Sequence, residues 1–401
     1  MRVLMITDVY FPRINGVSTS IRTFRQELDK AGVETALVAP AYDTAWADDP
    51  ETRRIASRRV PFDPEDRLMR GREVAELERT LAGGGFDLVH VHTPFVAHRA
   101  GVRLGRALKL PVVETYHTHF EAYFHHYVRF LPQRWLQRGA RRLSRGQCND
   151  VDAVVVPSSA MRSVLDDYGV TTPTHVIPTG IRLAAFWGGD GDRFRSRHGI
   201  AVNRPVLVHV GRAAHEKNIG FLLEVTARLH RDRPDVLLVI AGEGPALPSL
   251  KQRARALGIE ANVLFVGYLD RDTELRDCYR AGNVFVFSSR TETQGLVLLE
   301  ALALGIPVVS TAVLGTRDVL LDAQGAVVVP EEVERFADAV ESVIDDPVRH
   351  AELSQGALAD AEGWSAEAMT RRLLALYQSL VRARGREVTI SRRRGGDPGA
   401  F

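Results

Sequence analysis

Two carboxylates, Glu292 and Glu300, flank a segment whose residue types could seat a diphosphate. The segment follows an apolar strand-like run, Val284–Phe287, and opens an apolar helix-like run at Gln294–Leu296. A helix start offers unpaired backbone N–H groups and a positive dipole end, so it attracts phosphate. A spacing of eight residues is little over two helical turns, which places both acids on one face. One acid could bind the hydroxyls of a sugar and the other those of a ribose, although on spacing alone an ordinary turn with solvated acids is the simpler interpretation.

Two cations, Arg212 and Lys217, bracket the loop after another strand-like run, Val206–Val210. The loop leads into a helix, and cations are electrostatically disfavoured at a helix start, so they need another reason to be there. They could neutralise the charge that grows on a diphosphate as a sugar departs from it. The alternative is an Arg and a Lys that are simply solvated.

Glycines mark two further loops that precede helices. Gly16 opens the first long helix, which gives another helix start suited to anions, although Asn15-Gly16 alone would indicate only a turn. Gly242 and Gly244 follow the strand-like run Val236–Ala241, where they permit a tight turn and the close approach of a ligand. A purely structural turn is an equally good interpretation of that pair.

Together these segments resemble the large GT4 group of glycosyltransferases, which have the GT-B fold. Glu292–Glu300 is similar to the E-x7-E motif of that group, Gly211–Lys217 to its G-R-x4-K loop, and the Gly16 loop to its glycine loop over the diphosphate. The resemblance extends from Met1 to about Val381. It implies transfer of a hexose from a nucleotide diphosphate sugar of the UDP-glucose or GDP-mannose type, with retained anomeric configuration.

The resemblance also implies roles for individual residues. The implied catalytic residues are His117, Arg212, Lys217 and Glu292, and the implied donor-binding residues are Gly16, Gly242, Gly244, Gln294, Gly295, Leu296 and Glu300. The cations would neutralise the leaving group, Glu292 would hold the sugar hydroxyls and Glu300 the ribose. His117 matches the histidine that touches the transferred sugar near its C6 hydroxyl. No side chain is an obvious covalent nucleophile, which agrees with attack by the acceptor hydroxyl on the donor's own side.

Histidines and Asp-x-Asp pairs raise the question of a metal. Four histidines are clustered in the sequence, namely His117, His119, His125 and His126. His117 and His119 share one side only in an extended chain, and no Cys or Asp accompanies them. Asp150–Asp152 precedes a strand and Asp270–Asp272 is expected to cap a helix, so neither pair is expected at a strand's carboxyl end. We therefore expect no metal and no cofactor, the nucleotide sugar being a substrate.

The stretch between Glu121 and Asp150 contains no acid, six arginines and a tryptophan. A basic helix with apolar residues and a Trp is typical of a segment that lies on a membrane surface. A surface helix with solvated arginines is the competing interpretation. The neighbourhood from Thr115 to Tyr127 also resembles bacterial diacylglycerol glucosyltransferases, which favours a lipid acceptor. The residues expected to contact the acceptor or an anionic membrane are Tyr123, His126, Arg129, Trp135, Arg138, Arg141 and Arg142.

Length and composition indicate what kind of protein this is. The chain has 401 residues, a net charge of +2 and 45% hydrophobic residues, which fits a globular protein of two domains and gives no sign of a nucleic-acid partner. Its two cysteines, Cys148 and Cys278, form no readable framework, which favours a reducing cytoplasm. The N-terminus lacks the features of a signal peptide, and no apolar stretch is long enough to span a bilayer, so any membrane contact is expected to be peripheral.

Short Val/Ile/Leu runs alternate with amphipathic runs, which predicts an α/β protein with doubly wound parallel sheets. The pattern restarts at Val206 after a polar stretch, Gly188–His198, that is typical of a linker. We therefore expect the GT-B fold, with two Rossmann-like domains facing across a ligand cleft. The predicted divisions are an acceptor-side domain at 1–187, a nucleotide-sugar domain at 188–364, a helix at 365–381 that returns to the first domain, and a disordered basic tail at 382–401.

Three other functions remain open. The acceptor could be a soluble sugar or a polysaccharide precursor. A sugar-nucleotide epimerase of the same fold would not be expected to carry the Gly16 loop together with both cations and both acids. A non-enzymatic nucleotide-binding module would tolerate loss of His117, Arg212 or Glu292, yet all three are present.

Overall fold

The structure, a computed structural model, describes residues 1–43, 47–60, 63–81, 83–117, 133–271 and 273–385. Three of the expected acceptor contacts, Tyr123, His126 and Arg129, lie outside these ranges, as does the predicted tail beyond residue 385. None of the described helices is long and apolar enough to cross a bilayer.

The elements alternate between strand and helix along most of the described chain. The strands are β1 (Arg2–Ile6), β2 (Glu34–Pro40), β3 (Thr52–Ile55), β4 (Ser57–Val60), β5 (Asp63–Met69), β6 (Leu88–Val91), β7 (Val112–Thr115), β8 (Ala153–Val156), β9 (Thr174–Val176), β10 (Val206–Val210), β11 (Leu237–Ala241), β12 (Val263–Gly267), β13 (Val284–Phe287), β14 (Val308–Ser310) and β15 (Ala326–Val328). The helices are α1 (Gly16–Lys30), α2 (Gly71–Leu81), α3 (Val96–Leu108), α4 (Gln133–Asn149), α5 (Ser159–Asp167), α6 (Gly191–Arg197), α7 (Ile219–Asp232), α8 (Leu247–Ala256), α9 (Glu274–Ala281), α10 (Leu296–Ala303), α11 (Thr316–Leu320), α12 (Val333–Ile344), α13 (Pro347–Glu362) and α14 (Ala366–Ala383).

The chain divides into two compact units. Unit 1 contains Met1–Gly180 and the chain from Ala366 onward, and unit 2 contains Ile181–Ser365. The first division therefore precedes the predicted boundary at residue 188. The reason is that Ile181 is buried in the core of unit 2 and donates its backbone N–H to the carbonyl of Trp364 at 2.7 Å.

The prediction of a linker at Gly188–His198 was wrong, because this stretch contains helix α6. Phe194 of α6 is buried in the core of unit 2. The guanidinium of Arg193 contacts the carboxylate of Asp277 on α9 at 2.6 Å. Arg195 of α6 is also buried, and its guanidinium donates to the Ala281 carbonyl at 2.7 Å. Charged residues that suggested a linker therefore help to hold this helix in place.

Unit 1 contains a sheet of seven parallel strands in the order β3-β2-β1-β6-β7-β8-β9. Strands such as β6 are buried along their whole length, as expected when helices cover both faces of a parallel sheet. From β1 the chain moves through β2 to β3, and from β6 it moves the other way to β9. The loops after β1 and β6 therefore diverge, and a crevice for a ligand is expected at their carboxyl ends.

Unit 2 contains a sheet of six parallel strands in the order β12-β11-β10-β13-β14-β15. Leu207 of β10 lies between Leu238 of β11 and Val284 of β13, so β10 and β13 are the pair at which the winding reverses. The predicted α/β class with two doubly wound parallel sheets is confirmed. The strands that the sequence did not predict are β3, β4, β5, β9 and β15, which are short, charged or at sheet edges.

The last helix, α14, is part of unit 1. Leu373, Tyr377 and Val381 on α14 are fully buried in the same core as Val3 of β1 and Ile21 of α1. The helix ends at Ala383, so it continues past the predicted end at residue 381.

Candidate active site

Two loops of unit 2 meet at the place where its winding reverses. The loop after β10 enters a short 3₁₀ turn, His215–Lys217, before α7 begins. The loop after β13 bonds to it: the Ser288 hydroxyl donates to the Asn218 carbonyl at 3.1 Å, and the Arg290 N–H donates to the Glu216 carbonyl at 3.4 Å. The two loops therefore hold their side chains in one fixed arrangement at the carboxyl ends of β10 and β13.

Lys217 and Glu292 form an ion pair across these two loops. The side chains are 16% and 21% exposed, so the pair is partly withdrawn from water while ligands can still reach it. The sequence predicted separate roles for the two residues, and the structure brings them into direct contact. The Glu292 carbonyl also accepts the N–H of Gly315 at 2.9 Å, which anchors the loop to the chain after β14.

Glu300 lies on α10 and is almost completely buried. It forms an ion pair with Arg271, and it accepts the phenolic hydrogen of Tyr279 at 2.9 Å. The argument that Glu292 shares a helical face with Glu300 was wrong, because α10 begins only at Leu296 and Glu292 lies in the preceding loop. The two acids have different cationic partners, so they are two separate positions of the site.

The start of α10 requires a glycine. Gly295 is the residue before the helix and has a φ of +92°, a conformation that favours glycine. A side chain here would meet the Cδ1 atom of Leu298 at 2.8 Å. Gln294 is buried and Leu296 is half-buried, so what a ligand can use here is the backbone N–H groups of the first turn.

The glycines Gly242 and Gly244 bring two loops together. A Cβ on Gly242 would lie 2.0 Å from the Gly211 carbonyl oxygen, and one on Gly244 would lie 2.5 Å from that of Ala213. The Ala213 N–H donates to the Glu243 carbonyl at 2.9 Å. These contacts account for both glycines through backbone packing, which is the structural interpretation that the sequence had left open. The same contacts hold the beginning of the Arg212–Lys217 loop against the loop after β11.

Gly16 is the first residue of α1, and Asn15 caps the helix by accepting the N–H of Ser18 at 2.8 Å. A Cβ on Gly16 would meet nothing within 4 Å. The backbone therefore does not require a glycine at this position, in contrast to Gly295.

Three histidines of unit 1 are connected at the carboxyl ends of β6 and β7. His92 Nδ1 lies 3.2 Å from His117 Nε2, and the ring of His92 lies 4.0 Å from that of His90. His90 contacts Thr115 Oγ1 at 2.7 Å and the hydroxyl of Tyr377 on α14 at 2.5 Å. His90 and His92 are buried and His117 is half-buried, so His117 is the member of this group that a ligand can reach.

Burial keeps these rings neutral. It lowers the pKa of His90 to about 3 and that of His117 to about 4, and it lowers the pKa of His92 well below its usual value. A neutral His117 can donate or accept a hydrogen bond with a sugar hydroxyl.

Asp8 is a buried acid beside these loops that the sequence interpretation did not single out. It follows β1, and its carboxylate accepts the Thr93 hydroxyl at 2.8 Å and the Ala97 N–H at 3.1 Å, which ties the loop after β1 to the loop after β6. Burial raises the pKa of Asp8 to about 6. Its position directly after the first strand was the signal that could have found it.

Arg271 and Tyr279 were also missed. The sequence interpretation treated Asp270–Asp272 only as a possible metal motif that caps a helix. Thr273 is in fact the residue before α9, and the pair follows the carboxyl end of β12. Its central residue, Arg271, is the one that contacts Glu300. Among the described residues, no group of three or more His, Cys, Asp or Glu side chains is placed to hold a metal ion.

Helix α4 contains the described part of the basic stretch, from Gln133 to Asn149. Its buried residues Ala140, Ser144 and Cys148 recur every four positions and pack inwards. The opposite side carries Trp135, which is 63% exposed, and the exposed residues Arg138 and Arg142. Arg145 is exposed as well, but its guanidinium lies 3.6 Å from the position of a Cβ on Gly169. Arg141 is different, because its guanidinium lies over the ring of Tyr168, 5.6 Å from the ring centre.

Comparisons with known proteins agree across both units. A model described as Glycosyl transferases group 1 matches residues 190–359, and one described as Glycosyltransferase Family 4 matches residues 14–185. The chain is 36% identical to an alpha-monoglucosyldiacylglycerol synthase of Streptococcus pneumoniae over 77% of this chain and 71% of that protein. It is 27% identical to the synthase of the same name from Acholeplasma laidlawii, over 77% of this chain and 80% of that one. Among solved structures, a sucrose-phosphate synthase from Thermosynechococcus elongatus superimposes with a TM-score of 0.78 at 21% identity, over 96% of this chain and 100% of that one.

Proposed function

The chain belongs to the family 4 glycosyltransferases, with the GT-B fold, and we propose that it transfers glucose from a nucleotide diphosphate sugar to a diacylglycerol-type lipid with retained configuration. The names of the two synthases support glucose as the transferred sugar and a diacylglycerol lipid as the acceptor. UDP-glucose is the proposed donor.

The observation that carries this proposal is the ion pair of Lys217 and Glu292 at the switch point of unit 2. A departing diphosphate needs a cation, and a sugar needs an acceptor for its hydroxyls. Lys217 supplies the cation and Glu292 the acceptor, and the two side chains are in contact. A diphosphate would compete with Glu292 for the Lys217 ammonium, which would release the carboxylate to bind the sugar.

The other residues take roles around that pair. Arg212 and the first N–H groups of α10 would share the diphosphate charge with Lys217, and Glu300 would accept the ribose hydroxyls. His117 would bind the C6 hydroxyl of the sugar as a neutral ring. Preorganised groups of this kind contribute most where charge develops in the transition state.

The proposed reaction exchanges one bond at the anomeric carbon. The bond from C1 to the phosphate oxygen breaks, and a bond from C1 to the acceptor hydroxyl oxygen forms on the same face of the ring. The hydroxyl proton passes to the departing phosphate oxygen. The cations hold the charge that the phosphate gains, so we propose that the reaction needs neither a metal ion nor a cofactor.

Helix α4 supports the lipid half of the proposal. The side opposite its buried face carries Trp135, Arg138 and Arg142, an arrangement that suits a surface of anionic lipid. We propose peripheral attachment through this side, which would bring the enzyme to its acceptor.

Labelled nucleotide sugars separate this function from its alternatives. The protein is incubated with labelled UDP-glucose or GDP-mannose, with and without vesicles that contain diacylglycerol, and the label is followed into the lipid phase. We expect transfer from UDP-glucose that requires the vesicles and is lost in Lys217→Met. Label in a water-soluble product would favour a soluble acceptor, and conversion of the free nucleotide sugar would favour an epimerase.

A further inference from the structure

Glu300 has two partners that the proposed function does not use. Arg271 from the loop after β12 pairs with Glu300 Oε1. The hydroxyl of Tyr279 from α9 donates to Oε2 at 2.9 Å, the shorter of its two contacts, the other being the Val297 carbonyl at 3.2 Å. Tyr279 is fully buried and the Glu300 side chain is only 4% exposed, whereas that of Arg271 is 24% exposed. Each carboxylate oxygen is thus held by a different donor from a different element.

A carboxylate this deeply buried must be compensated, because the desolvation of an unpaired charge is strongly unfavourable. Arg271 supplies the opposite charge. Tyr279 supplies a neutral donor, and burial together with the nearby Glu300 raises its pKa well above the usual value, so it remains protonated. The two donors also fix the rotation of the carboxylate plane.

The number of lone pairs sets what Glu300 can still accept. Two carboxylate oxygens offer about four acceptor positions. Arg271 and Tyr279 occupy one on each oxygen, so one remains on each oxygen. Two acceptor positions side by side on a fixed plane match two adjacent hydroxyls, such as the 2′ and 3′ hydroxyls of a ribose.

We infer that Arg271 is a positioning residue that, with Tyr279, orients Glu300 to accept both ribose hydroxyls and so makes the site selective for ribonucleotides. The inference rests on the proposed role of Glu300 in nucleotide binding. Loss of Arg271 would let the carboxylate rotate and would leave its charge uncompensated. Binding of a nucleotide that has both hydroxyls would then suffer most.

The test compares nucleotides that differ in one hydroxyl. The whole protein is titrated calorimetrically with UDP, GDP and their 2′-deoxy forms. For the nucleotide that binds, the affinity of the ribonucleotide divided by that of its 2′-deoxy form gives the ribo-to-deoxy ratio. For the wild-type protein we expect a ratio on the order of tenfold or more. In Arg271→Met the affinity for the ribonucleotide should fall more than that for the deoxy form, which has only the 3′ hydroxyl to lose as a partner of Glu300, so that the ratio approaches one. Tyr279→Phe should lower the ratio in the same direction, and Arg271→Lys should restore part of it.

Arg253→Met is the matched control, because Arg253 forms an exposed ion pair with Glu224 in the same unit. It should leave the ratio as in the wild type. An unchanged ratio in both Arg271→Met and Tyr279→Phe, with intact thermal unfolding, would overturn the inference while leaving the proposed function standing. Equal losses for both nucleotides would overturn it as well, because they would indicate a structural role. If the wild-type protein binds neither nucleoside diphosphate, the proposed function fails and the inference fails with it.

Discussion

At the scale of single residues, Lys217 is the group on which the proposed chemistry depends most. Its ammonium is only partly exposed and is held by Glu292, in a loop where a cation is otherwise disfavoured. An ion pair at such a place contributes little to stability by itself, because the gain in charge attraction is offset by desolvation. Its presence is better explained by a ligand that carries negative charge.

Lys217→Met should therefore damage catalysis far more than folding. Without the ammonium the departing diphosphate loses one preorganised cation, and turnover should fall roughly 10²–10³-fold. The measurement is steady-state turnover of labelled nucleotide sugar, alongside thermal unfolding. Lys30→Met is the control, because Lys30 pairs with Glu27 on α1 and should keep full activity. Near-normal turnover by a folded Lys217→Met protein would remove Lys217 from the mechanism.

Gly16 gives a second prediction at this scale. The fold does not require a glycine there, so Gly16→Ala should change the free energy of unfolding by no more than about 0.5 kcal/mol. If the N–H groups at the start of α1 approach the donor phosphates, the added methyl group should lower kcat/KM between about tenfold and a hundredfold. Gly71→Ala is a close match, because Gly71 also opens a helix and also has nothing within 4 Å of its Cβ position. Equal activity of the two variants would mean that Gly16 has no part in donor binding.

At the scale of elements, the sequence predicted what depends on local pattern. Buried runs such as β10 and β13 are recognisable because a parallel sheet needs continuous apolar residues. Helix α6 was missed because most of its residues are charged, including Arg195, which is buried. The missed strands are short, and β3, β4 and β5 are rich in charged residues. The partners of Glu300 could not be predicted either, since Arg271 and Tyr279 come from a different crossover and meet Glu300 only when α9 and α10 pack.

The same limit explains the glycines. A positive φ or a close backbone approach requires glycine, but the sequence does not tell which of Gly16, Gly242 and Gly295 has either of these features. Only the neighbours distinguish them: Gly242 faces the carbonyl of Gly211, Gly295 faces Leu298, and Gly16 faces open space.

Helix α4 is the element that we expect to bind anionic membranes. Replacing Arg138 and Arg142 with Gln removes two charges from its exposed side, each of which contributes about 1 kcal/mol near an anionic surface. Binding to vesicles rich in anionic lipid should fall on the order of thirtyfold, as measured by sedimentation at low salt. Arg141→Gln should change binding much less, because Arg141 lies over Tyr168.

The matched control removes two exposed arginines from another helix of the same unit, namely Arg99 and Arg103 of α3. The change in net charge is the same, so a difference between the two double variants reports the position of the charges. Equal losses would indicate general electrostatics, and no vesicle binding by the wild-type protein would leave α4 as an ordinary surface helix.

At the scale of the whole molecule, buried neutral histidines predict sensitivity to acid. Burial lowers the pKa of His90 to about 3 and that of His209 to about 4. The unfolded chain binds protons below its histidine pKa of about 6.5, whereas the folded chain does not, so stability falls as the pH falls. At pH 5 each of these two residues should lower the free energy of unfolding by about 2 kcal/mol relative to pH 7.

Asp8 acts in the opposite direction, because its pKa is raised to about 6 and the folded chain gains a proton between pH 7 and pH 5. That gain is about 1 kcal/mol, too small to offset the histidines. Calorimetry should therefore show a lower unfolding temperature at pH 5 than at pH 7, with the transition that contains unit 1 shifted most, since His90, His92 and His117 all lie there. An unchanged or higher unfolding temperature at pH 5 would show that these rings are not buried as neutral groups.

We propose that the molecule transfers glucose from a nucleotide diphosphate sugar to a lipid hydroxyl on the face from which the nucleotide leaves. Proton NMR of the product made from UDP-glucose and diacylglycerol vesicles, with and without EDTA, measures both the anomeric configuration and the need for a metal. We predict an α-linked glucosyl lipid, formed at the same rate with and without the chelator. A β-linked product, or no glucosyl lipid from UDP-glucose while a divalent cation is absent, would rule out this reaction.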